Sequence, residues 1–216
     1  MPGVPIDLRT DVTPGTSHIE IVIVIELGAN AHDYNAQRET AGRMRPVACP
    51  GCEGKRIVAH DWYERRAVYP DEDVLVAIRR WRCKACGKTI SLLPSFLHRH
   101  RHYALIVIET VLRGRLEQNM PWSDLSVASQ RSMRRWLAAL VAQALGWLAR
   151  LLTALARVMP LLGMLDAHGS HANQTPASAV LRLGSVFASW LCPEIRDNAL
   201  RVLWRWGWND KAGRLV

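Results

Sequence analysis

The sequence CPGC at residues 49–52 and the sequence CKAC at residues 83–86, separated by 30 residues, decide the fold of this chain. Two C-x2-C pairs supply four thiolates, the ligand set with which proteins hold a zinc ion in tetrahedral geometry. Because sulfur takes all four positions, none remains for a reactive water, and the metal has a structural role. One structural Zn²⁺ is therefore the predicted cofactor, and its predicted ligands are Cys49, Cys52, Cys83 and Cys86.

The competing interpretation of these cysteines is a redox-active dithiol. Such a pair normally stands alone at the start of a helix in a βαβ unit, and no βαβ pattern surrounds these cysteines. Gly51 and Gly87 instead suit the tight turns of metal-binding loops, with backbone amides directed at sulfur. Cys192 has no partner in the sequence and is expected to be a small buried side chain.

The chain shows no export signal. Residues 19–27 (IEIVIVIEL) are apolar, but they include Glu20 and Glu26 and follow no basic segment. The longest apolar run without charge lies between Arg135 and Arg150, and its 14 residues fall short of the roughly 18 that a membrane span needs. We therefore expect a cytoplasmic protein with no membrane partner, in a compartment where closely paired cysteines bind metal.

Strand patterns surround the cysteines. The β-branched run at residues 19–27 predicts a buried strand. Alternation and turn residues predict three more strands, at residues 57–69, 74–82 and 89–93. The length between the cysteine pairs fits a β-hairpin, whereas a finger helix needs only about 12 residues there. The sequence therefore predicts a zinc ribbon.

From Tyr103 onward the pattern becomes helical. Residues 103–116 place their apolar side chains on one face of a helix, and residues 121–126 predict a second, short helix. Ser129 is a predicted N-cap for a long helix that reaches toward Met159. A short helix, a tight connection and a longer helix have the proportions of a helix-turn-helix.

The predicted fold class is α+β: a β-rich zinc ribbon followed by an all-α helix-turn-helix region and a helical tail. The predicted boundaries are residues 1–46 for a leader, a strand and a linker, 47–95 for the zinc ribbon, 103–159 for the helix-turn-helix with its long C-terminal helix, and 160–216 for the tail.

The long helix carries an apolar stripe with steps of four and three residues, formed by Leu137, Val141, Ala144, Leu148, Leu151, Leu155 and Val158. This is the heptad spacing of a coiled coil, and it predicts a homodimer through residues 137–158. An amphipathic helix that packs on its own domain has a similar pattern. Both interpretations stay open at the level of sequence.

The charge balance favours a nucleic-acid partner. The formal net charge is +9, with 28 Lys+Arg against 19 Asp+Glu, and only four of the 28 are lysines. Arginine suits bidentate contacts to phosphate and guanine. A genome of high GC content would enrich arginine equally well, so the composition alone does not decide.

Three groups of residues are candidates for contacting DNA. Arg131, Arg134 and Arg135 project outward near the start of the long helix, where a recognition helix meets DNA. The other candidates are Gln130 and Ser132 on that helix, Arg80 and Arg82 on one face of the hairpin, and Arg99 and Arg101 in the connector FLHRHRHY. All of these side chains can equally be solvated surface residues. The alternating histidines of the connector also suggest a second metal site, but they lack a carboxylate partner.

With both patterns present, the chain resembles a family of uncharacterised proteins associated with bacterial insertion sequences, whose members pair a zinc ribbon with a helix-turn-helix. The resemblance covers roughly residues 19–140. It lies in the apolar N-terminal strand, CPGC, the hairpin ending RRWRCKACGKTISLLPSFL, the His/Arg/Tyr connector and the RSMRRWL helix. It implies a role in transposition, as a DNA-binding accessory or as the DNA-binding front of a transposase.

The chain departs from a complete transposase. A DDE catalytic core needs three carboxylates on an RNase H-like sheet to hold two metal ions. After Met159 the sequence has 57 residues with little strand pattern, and their acidic residues are Asp166, Glu194, Asp197 and Asp210. We therefore expect no enzyme activity, and any transposase of such an element would be a separate chain and a partner.

The favoured interpretation is a non-catalytic protein that binds double-stranded DNA within a transposition system. The alternative is a dimeric transcriptional regulator with the same two modules, which predicts a palindromic site with half-sites one helical turn apart. A nuclease that uses Asp166 and His168 lacks a third partner at recognisable spacing. An RNA-binding or protein-binding ribbon also stays open, with Trp204, Trp206 and Trp208 as stacking candidates.

Overall fold

The computed structural model describes residues 21–99, 101–158, 175–191 and 198–203. Its elements are β1 (Ile21–Ile25), α1 (Ala31–Ala36), α2 (Arg38–Arg43), β2 (Ile57–Val68), β3 (Asp73–Cys83), β4 (Thr89–Pro94), α3 (Leu105–Leu116), α4 (Gln130–Val158) and α5 (Pro176–Leu191). Residues 199–203 are also helical. The predicted leader at residues 1–18, the end of the long helix at Pro160, the partnerless Cys192 and the tryptophans at 204, 206 and 208 lie outside the described residues.

The four strands form one sheet in the order β1-β4-β3-β2. The predicted hairpin is confirmed: β2 and β3 are antiparallel, and β4 pairs antiparallel with the other side of β3. β1 adds to β4 in parallel, with Ile21 opposite Ile90 and Ile25 opposite Pro94. The apolar N-terminal strand therefore extends the cysteine hairpin into a four-stranded mixed sheet.

The predicted fold class, a zinc ribbon followed by an all-α helix-turn-helix region, is wrong. The chain is a mixed α/β protein with a four-stranded sheet in its N-terminal half and helices later. The short helix predicted at residues 121–126 does not form, because residues 122–124 and 126–127 are turns. The whole connection at 117–129 separates α3 from α4, whereas a helix-turn-helix joins its helices through about three or four residues.

Packing against α3 explains why the connection is not helical. Leu125 is buried against Gly114, where an added Cβ would lie 2.8 Å from Leu125 Cδ2. The Met120 amide donates to the Gly114 carbonyl at 2.9 Å, and Asn119 has a positive φ of 53°. A residue in the left-handed region stops a right-handed helix. Leu125 therefore anchors a loop that folds back on α3.

Two short helices occupy the segment predicted as a linker. Asn30 caps α1 by accepting from the Asp33 amide at 3.0 Å. Tyr34 on α1 is fully buried and meets the edge of the Phe96 ring at 6.1 Å between centroids. Burial raises the pKa of Tyr34 to about 12. α1 and α2 both pack on β3 and cover part of the sheet.

The long helix forms as predicted, but its apolar stripe is divided. Ser129 caps α4 through its Oγ, which accepts from the Ser132 amide at 3.3 Å. The buried face consists of Met133, Trp136, Leu140, Ala144, Trp147 and Leu151. This spacing is that of a straight helix packed against α3 and α5. Val141 of the predicted heptad stripe points outward, and the side chains of Leu155 and Val158 lie outside the described part.

Residues 130–154 of α4 form a helix that is long and apolar enough to cross a membrane by length and composition. Only 22% of its most apolar window is buried. Among the described residues, the large apolar side chains exposed on this helix are those of Val141, Leu145 and Leu152.

Buried charges fasten the C-terminal helical residues to the sheet. Arg201 is 5% exposed, and its guanidinium pairs with Glu26 just after β1. The same guanidinium donates to the carbonyls of Gly28 and Ala29, each at 2.7 Å, and to Ser95 Oγ at 2.8 Å. Residues 199–203 are thereby held against the loops that follow β1 and β4.

A second buried charge links the helices. Glu109 on α3 is 2% exposed and accepts from the Leu200 amide at 2.7 Å and from Arg113 Nε at 2.8 Å. Burial raises the pKa of the Glu109 carboxyl, and the Leu200 amide and Arg113 oppose that rise. Arg113 also donates to Ser185 Oγ on α5 at 2.6 Å. One polar network therefore joins α3, α5 and residues 199–203.

Replacement of Arg201 by methionine, which has no charge, should lower the free energy of unfolding by about 2–3 kcal/mol, because it removes a buried guanidinium that pairs with half-buried Glu26 and donates to two backbone carbonyls. Chemical denaturation measures the change. Arg45→Met is the matched control at an exposed arginine, and we expect a change within about 0.5 kcal/mol there. Equal effects of the two substitutions would contradict the structural role of Arg201.

Candidate metal centre and basic surface

The four cysteines of the two pairs converge on one point. Their sulfur atoms all lie within 4.8 Å of one another. Cys49 Sγ lies 3.7 Å from Cys86 Sγ, and Cys52 Sγ lies 3.6 Å from Cys83 Sγ. These separations are far from the S–S bond length of about 2.05 Å, so the sulfurs are free thiols. The prediction of a metal-binding cluster is confirmed to this extent: four sulfur donors surround a space that can hold one metal ion.

Two loops of the same shape present the sulfurs. In each loop, the amide of the first cysteine donates to the carbonyl five residues later, and its own carbonyl accepts from the amide four residues later. The bonds are Cys49 N to Gly54 O at 3.0 Å, Glu53 N to Cys49 O at 2.7 Å, Cys83 N to Lys88 O at 3.0 Å and Gly87 N to Cys83 O at 2.9 Å. This repetition makes the two cysteine loops a matched pair.

Each loop closes through a residue in the left-handed region. Gly87 has a φ of 71°, as its predicted role in a tight turn requires, and the equivalent residue of the first loop is Glu53 with a φ of 59°. The turn predicted for Gly51 therefore falls at Glu53 instead. Gly51 has a packing role, because an added Cβ would lie 2.9 Å from Ile21 Cδ1. This contact brings β1 against the first loop.

Backbone amides favour negative charge on sulfur. The Cys86 amide, helped by the Ala85 amide, lowers the pKa of Cys83 to about 7. The Gly54 amide acts in the same sense on Cys52, but hydrogen bonds from the other thiols, Cys86 first, outweigh it and raise the pKa of Cys52 to about 12. Four adjacent thiols cannot all lose their protons without a counter-ion, because the negative charges repel one another. A metal cation between the sulfurs would offset this repulsion.

The candidate arginines of the hairpin differ in their availability. Arg80 is held by both carboxylate oxygens of Asp61, with Nε to Oδ1 at 2.7 Å, and it stacks on the Tyr63 ring at 5.1 Å. The hydrogen bond from Arg80 lowers the pKa of Asp61. Arg82 is exposed, and within the described ranges it forms no ion pair. Arg80 is therefore occupied by the protein itself, whereas Arg82 faces solvent.

Arg79 and Trp81 share a face of β3, as the alternation predicts. The Arg79 guanidinium lies between the Trp81 ring at 4.9 Å and the Trp62 ring at 5.2 Å. Arg38 on α2 also lies over the Trp62 ring, at 5.1 Å. The stack fixes α2 on the sheet and leaves Trp81 buried rather than available for a ligand.

The connector after β4 reaches the start of α4. Arg65 on β2 donates to the carbonyls of His98 and Arg101 at 3.0 and 2.8 Å. The Tyr103 ring meets the edge of Trp136 on α4 at 5.0 Å. Burial, and then the positive charge of Arg135, lower the pKa of Arg101. The connector arginine and the first turns of α4 are therefore neighbours.

We define the basic surface as Arg101, Arg131, Arg134 and Arg135. The three α4 arginines are exposed, and α4 has no acidic residue in its first turn. In the part of the chain that the structure describes, no acidic side chain forms an ion pair with any of the four. The surface therefore concentrates positive charge that the described residues leave uncompensated.

The remaining candidates lie around this surface without joining it. Gln130 is exposed at the first position of α4, whereas the Ser132 hydroxyl accepts from the capping Ser129 Oγ at 3.0 Å. Arg99 is half-buried and engaged within the protein. His98 is buried and His102 exposed, and the only group of three or more metal-ligating residues among the described ones is the four cysteines. His100, Asp166 and His168 lie outside the described residues.

Sequence reasoning missed the contacts that position this surface. Arg65 carries no motif, and the contact between Tyr103 and Trp136 joins two segments whose sequences do not reveal that they meet. The only local signal is the mixture of aromatic and basic residues in the connector. This mixture is typical of a packed and charged segment, but it does not predict which other segment the connector contacts.

Alanine at Gly87 should destabilise the metal-loaded protein by about 1 kcal/mol, because a Cβ disfavours the left-handed conformation. No atom lies within 4 Å of the added Cβ, so the effect is conformational rather than steric. Glu53→Gly should be neutral or slightly stabilising, since it relieves the same strain while adding freedom to the unfolded chain. Thermal unfolding compares the two variants. A neutral Gly87→Ala or a strongly destabilising Glu53→Gly would contradict the equivalence of the two loops.

Comparison with known proteins adds a family model for part of the chain. A model described as a domain of unknown function (DUF6431) matches residues 49–136. This range begins at Cys49, the first cysteine of the cluster, and ends at Trp136 on α4, so it contains the cysteine cluster and the basic surface. No curated protein and no solved structure matches the chain.

Proposed function

We propose that this protein binds double-stranded DNA through the basic surface, which a zinc-stabilised sheet holds in place. The observation that carries the proposal is the gathering of Arg101 and the α4 arginines on one side, without an acidic counterpart among the described residues. Neither a catalytic group nor a helix-turn-helix takes part in it.

Mutual repulsion of the arginines favours an anionic ligand. Burial, and then the nearby positive charge of Arg135, lower the pKa of Arg101 and so disfavour its charge. Phosphate groups would relieve that repulsion, and the planar guanidinium fork suits their geometry. DNA offers phosphates at regular spacing, so several arginines can be satisfied at once, with release of counterions.

The start of α4 adds a route to the bases. Arg131, Arg134 and Arg135 lie on the outward side of its first two turns, and Trp136 and Met133 hold the inward side in the core. An exposed helix of this kind fits the major groove, where arginine can bind guanine through two hydrogen bonds. Arg82, exposed near the cysteine cluster, is a candidate for an additional phosphate contact.

We assign the metal as zinc. Tetrahedral coordination with Zn–S bonds of about 2.3 Å places neighbouring sulfurs about 3.8 Å apart. The separations of 3.7 and 3.6 Å support this assignment. Four thiolates leave no open position, so the ion would cross-link the loop before β2 to the β3–β4 turn and would supply no reaction chemistry.

The proposed biological context is transposition, which rests on the resemblance of residues 19–140 to insertion-sequence proteins. The chain would act as an accessory that recognises DNA while a separate transposase chain cuts it. A dimeric transcriptional regulator is a second candidate, for which the exposed side chains of Val141, Leu145 and Leu152 on α4 offer an apolar surface. A footprinting assay separates the two contexts. A transposition accessory should protect the ends of the element, whereas a transcriptional regulator should protect its own promoter.

The double substitution Arg134→Ala/Arg135→Ala should weaken DNA binding and make it less sensitive to salt. The slope of log K against log salt concentration should fall by about 1.8 if two phosphate contacts are lost. Fluorescence anisotropy with a duplex, from low to high salt, measures the slope. Arg43→Ala/Arg45→Ala removes two exposed arginines on and just after α2 and is the matched control. An identical slope for both doubles would contradict the assignment of the basic surface.

Removal of the metal should unfold the sheet as a whole. With a strong chelator, or with Cys83→Ser, we expect loss of one zinc per chain, loss of β-sheet circular dichroism and loss of DNA binding together. Elemental analysis and circular dichroism on the same sample measure this. A metal-free protein with an intact sheet would contradict the structural role of the ion.

A further inference from the structure

A second group of cations lies beside the metal centre. Arg56 precedes β2, Arg82 is the last residue but one of β3, and Lys84 lies in the second cysteine loop. All three side chains are exposed. Within the ranges of the chain that the structure describes, no acidic side chain forms an ion pair with any of them. We name these three residues the metal-end surface.

The backbone gathers the metal-end surface on one face of the sheet. Ile57 and Cys83 are opposite each other in the β2–β3 pairing, and both are buried. Successive side chains of a strand point to opposite faces, so Arg82 lies on the face opposite to Ile57 and Cys83. The Lys84 amide donates to the Arg56 carbonyl at 2.8 Å, which brings these two residues beside Arg82.

The metal centre does not account for all of this positive charge. Four thiolates around a Zn²⁺ carry a net charge of about −2. Residues 45–58 and 82–89 add one acid, Glu53, and six basic residues, namely Arg45, Lys55, Arg56, Arg82, Lys84 and Lys88. Lys88 reaches over the first cysteine loop, where its Nζ would lie 3.6 Å from a Cβ added at Gly51. Lys88 can therefore offset the cluster, and positive charge remains in excess at the metal-end surface.

The metal-end surface lies on the same side of the sheet as the connector. Arg80 alternates with Arg82 along β3 and stacks on the Tyr63 ring at 5.1 Å, so all three share one face. Arg65 follows Tyr63 by two residues on β2 and lies on that face as well. Its guanidinium donates to the Arg101 carbonyl at 2.8 Å. One face of the hairpin therefore leads from the metal centre to the basic surface.

The spacing of the two surfaces suits a DNA duplex. Arg65 is opposite Val76 on β3, and Arg82 lies six residues further along that strand. At about 3.4 Å per residue, this separates the two surfaces by about 20 Å. Duplex DNA rises about 3.4 Å per base pair, so the same distance covers about six base pairs. A duplex that lies along this face can reach both surfaces.

We propose that Arg56, Arg82 and Lys84 bind backbone phosphates of the same DNA duplex that the basic surface binds, about six base pairs away. This inference rests on the proposed function and adds a second contact region to it. The metal would then hold a phosphate-binding surface in place as well as join the strands. Residues 45–58 and 82–89 contain no aromatic residue, so they lack the stacking platforms with which proteins bind unpaired strands.

The salt dependence of binding tests the metal-end surface. For the full zinc-loaded chain, Arg56→Gln/Arg82→Gln should lower the slope of log K against log salt concentration by about 1.8, because two phosphate contacts are lost. Fluorescence anisotropy with a duplex measures the slope. Arg43→Gln/Arg45→Gln is the matched control, since it removes two exposed arginines on and just after α2, whose Gly42 packs on Trp62 at the opposite face. A metal-end variant with the slope of the wild type would overturn the proposal.

Duplex length tests the spacing. On a duplex too short to reach both surfaces, the wild type and Arg56→Gln/Arg82→Gln should have the same slope. The difference between them should appear when the duplex is lengthened by about six base pairs. A difference that is equal at every length would overturn the arrangement of both surfaces on one duplex.

Three controls distinguish the outcomes. Elemental analysis should find the same zinc content in Arg56→Gln/Arg82→Gln as in the wild type, whereas a loss of zinc would assign these arginines to the charge of the metal centre and overturn the proposal. A single strand that competes as well as the duplex would also overturn it. If Arg134→Ala/Arg135→Ala lowers the slope and the metal-end variant does not, only this inference fails. A wild-type chain that does not bind duplex DNA would overturn the proposed function as well.

Discussion

The convergence of four sulfur atoms from two distant loops is the constraint on which the structure depends. The first loop precedes β2 and the second joins β3 to β4, so their meeting fixes the ends of three strands at once. Ile21 then packs on Gly51, which brings β1 to the same centre. A metal ion held by the four sulfurs would cross-link these strand ends and add to the stability of the folded chain.

Contacts with this sheet set the position of the basic surface. β4 leads into the connector, where Arg65 of β2 fixes two carbonyls and Tyr103 meets Trp136 of α4. The first turns of α4 are thus placed by contacts that trace back to the strands beside the metal centre. Arg201 and Glu109 act at the opposite end, where buried charge holds the C-terminal helical residues to the sheet and to α3. The function we propose uses surface side chains, whereas these buried polar groups hold the helices to one another and to the sheet.

The sequence was informative where the signal is local. Cysteine spacing, strand alternation and the Ser129 cap depend on neighbouring residues, and the strands, α3 and α4 form where these patterns predict. The helix-turn-helix prediction was wrong: residues 122–124 and 126–127 are turns, and Leu125 packs on Gly114 of α3, a contact that the local pattern does not reveal. The pairing of β1 with β4 and the contact of Arg201 with Glu26 join segments far apart in the chain, and no pattern within either segment reveals them. The apolar spacing of α4 was ambiguous, since heptad and straight-helix periods differ little over a few turns.

X-ray absorption at the zinc edge of the natively purified protein tests the central constraint most directly, because it reports the ligand atoms themselves. We expect a single shell of four sulfurs at about 2.3 Å and no nitrogen or oxygen neighbours. A mixed shell containing nitrogen or oxygen, or a protein that folds without any metal at this position, would contradict a sheet fixed by four thiolates.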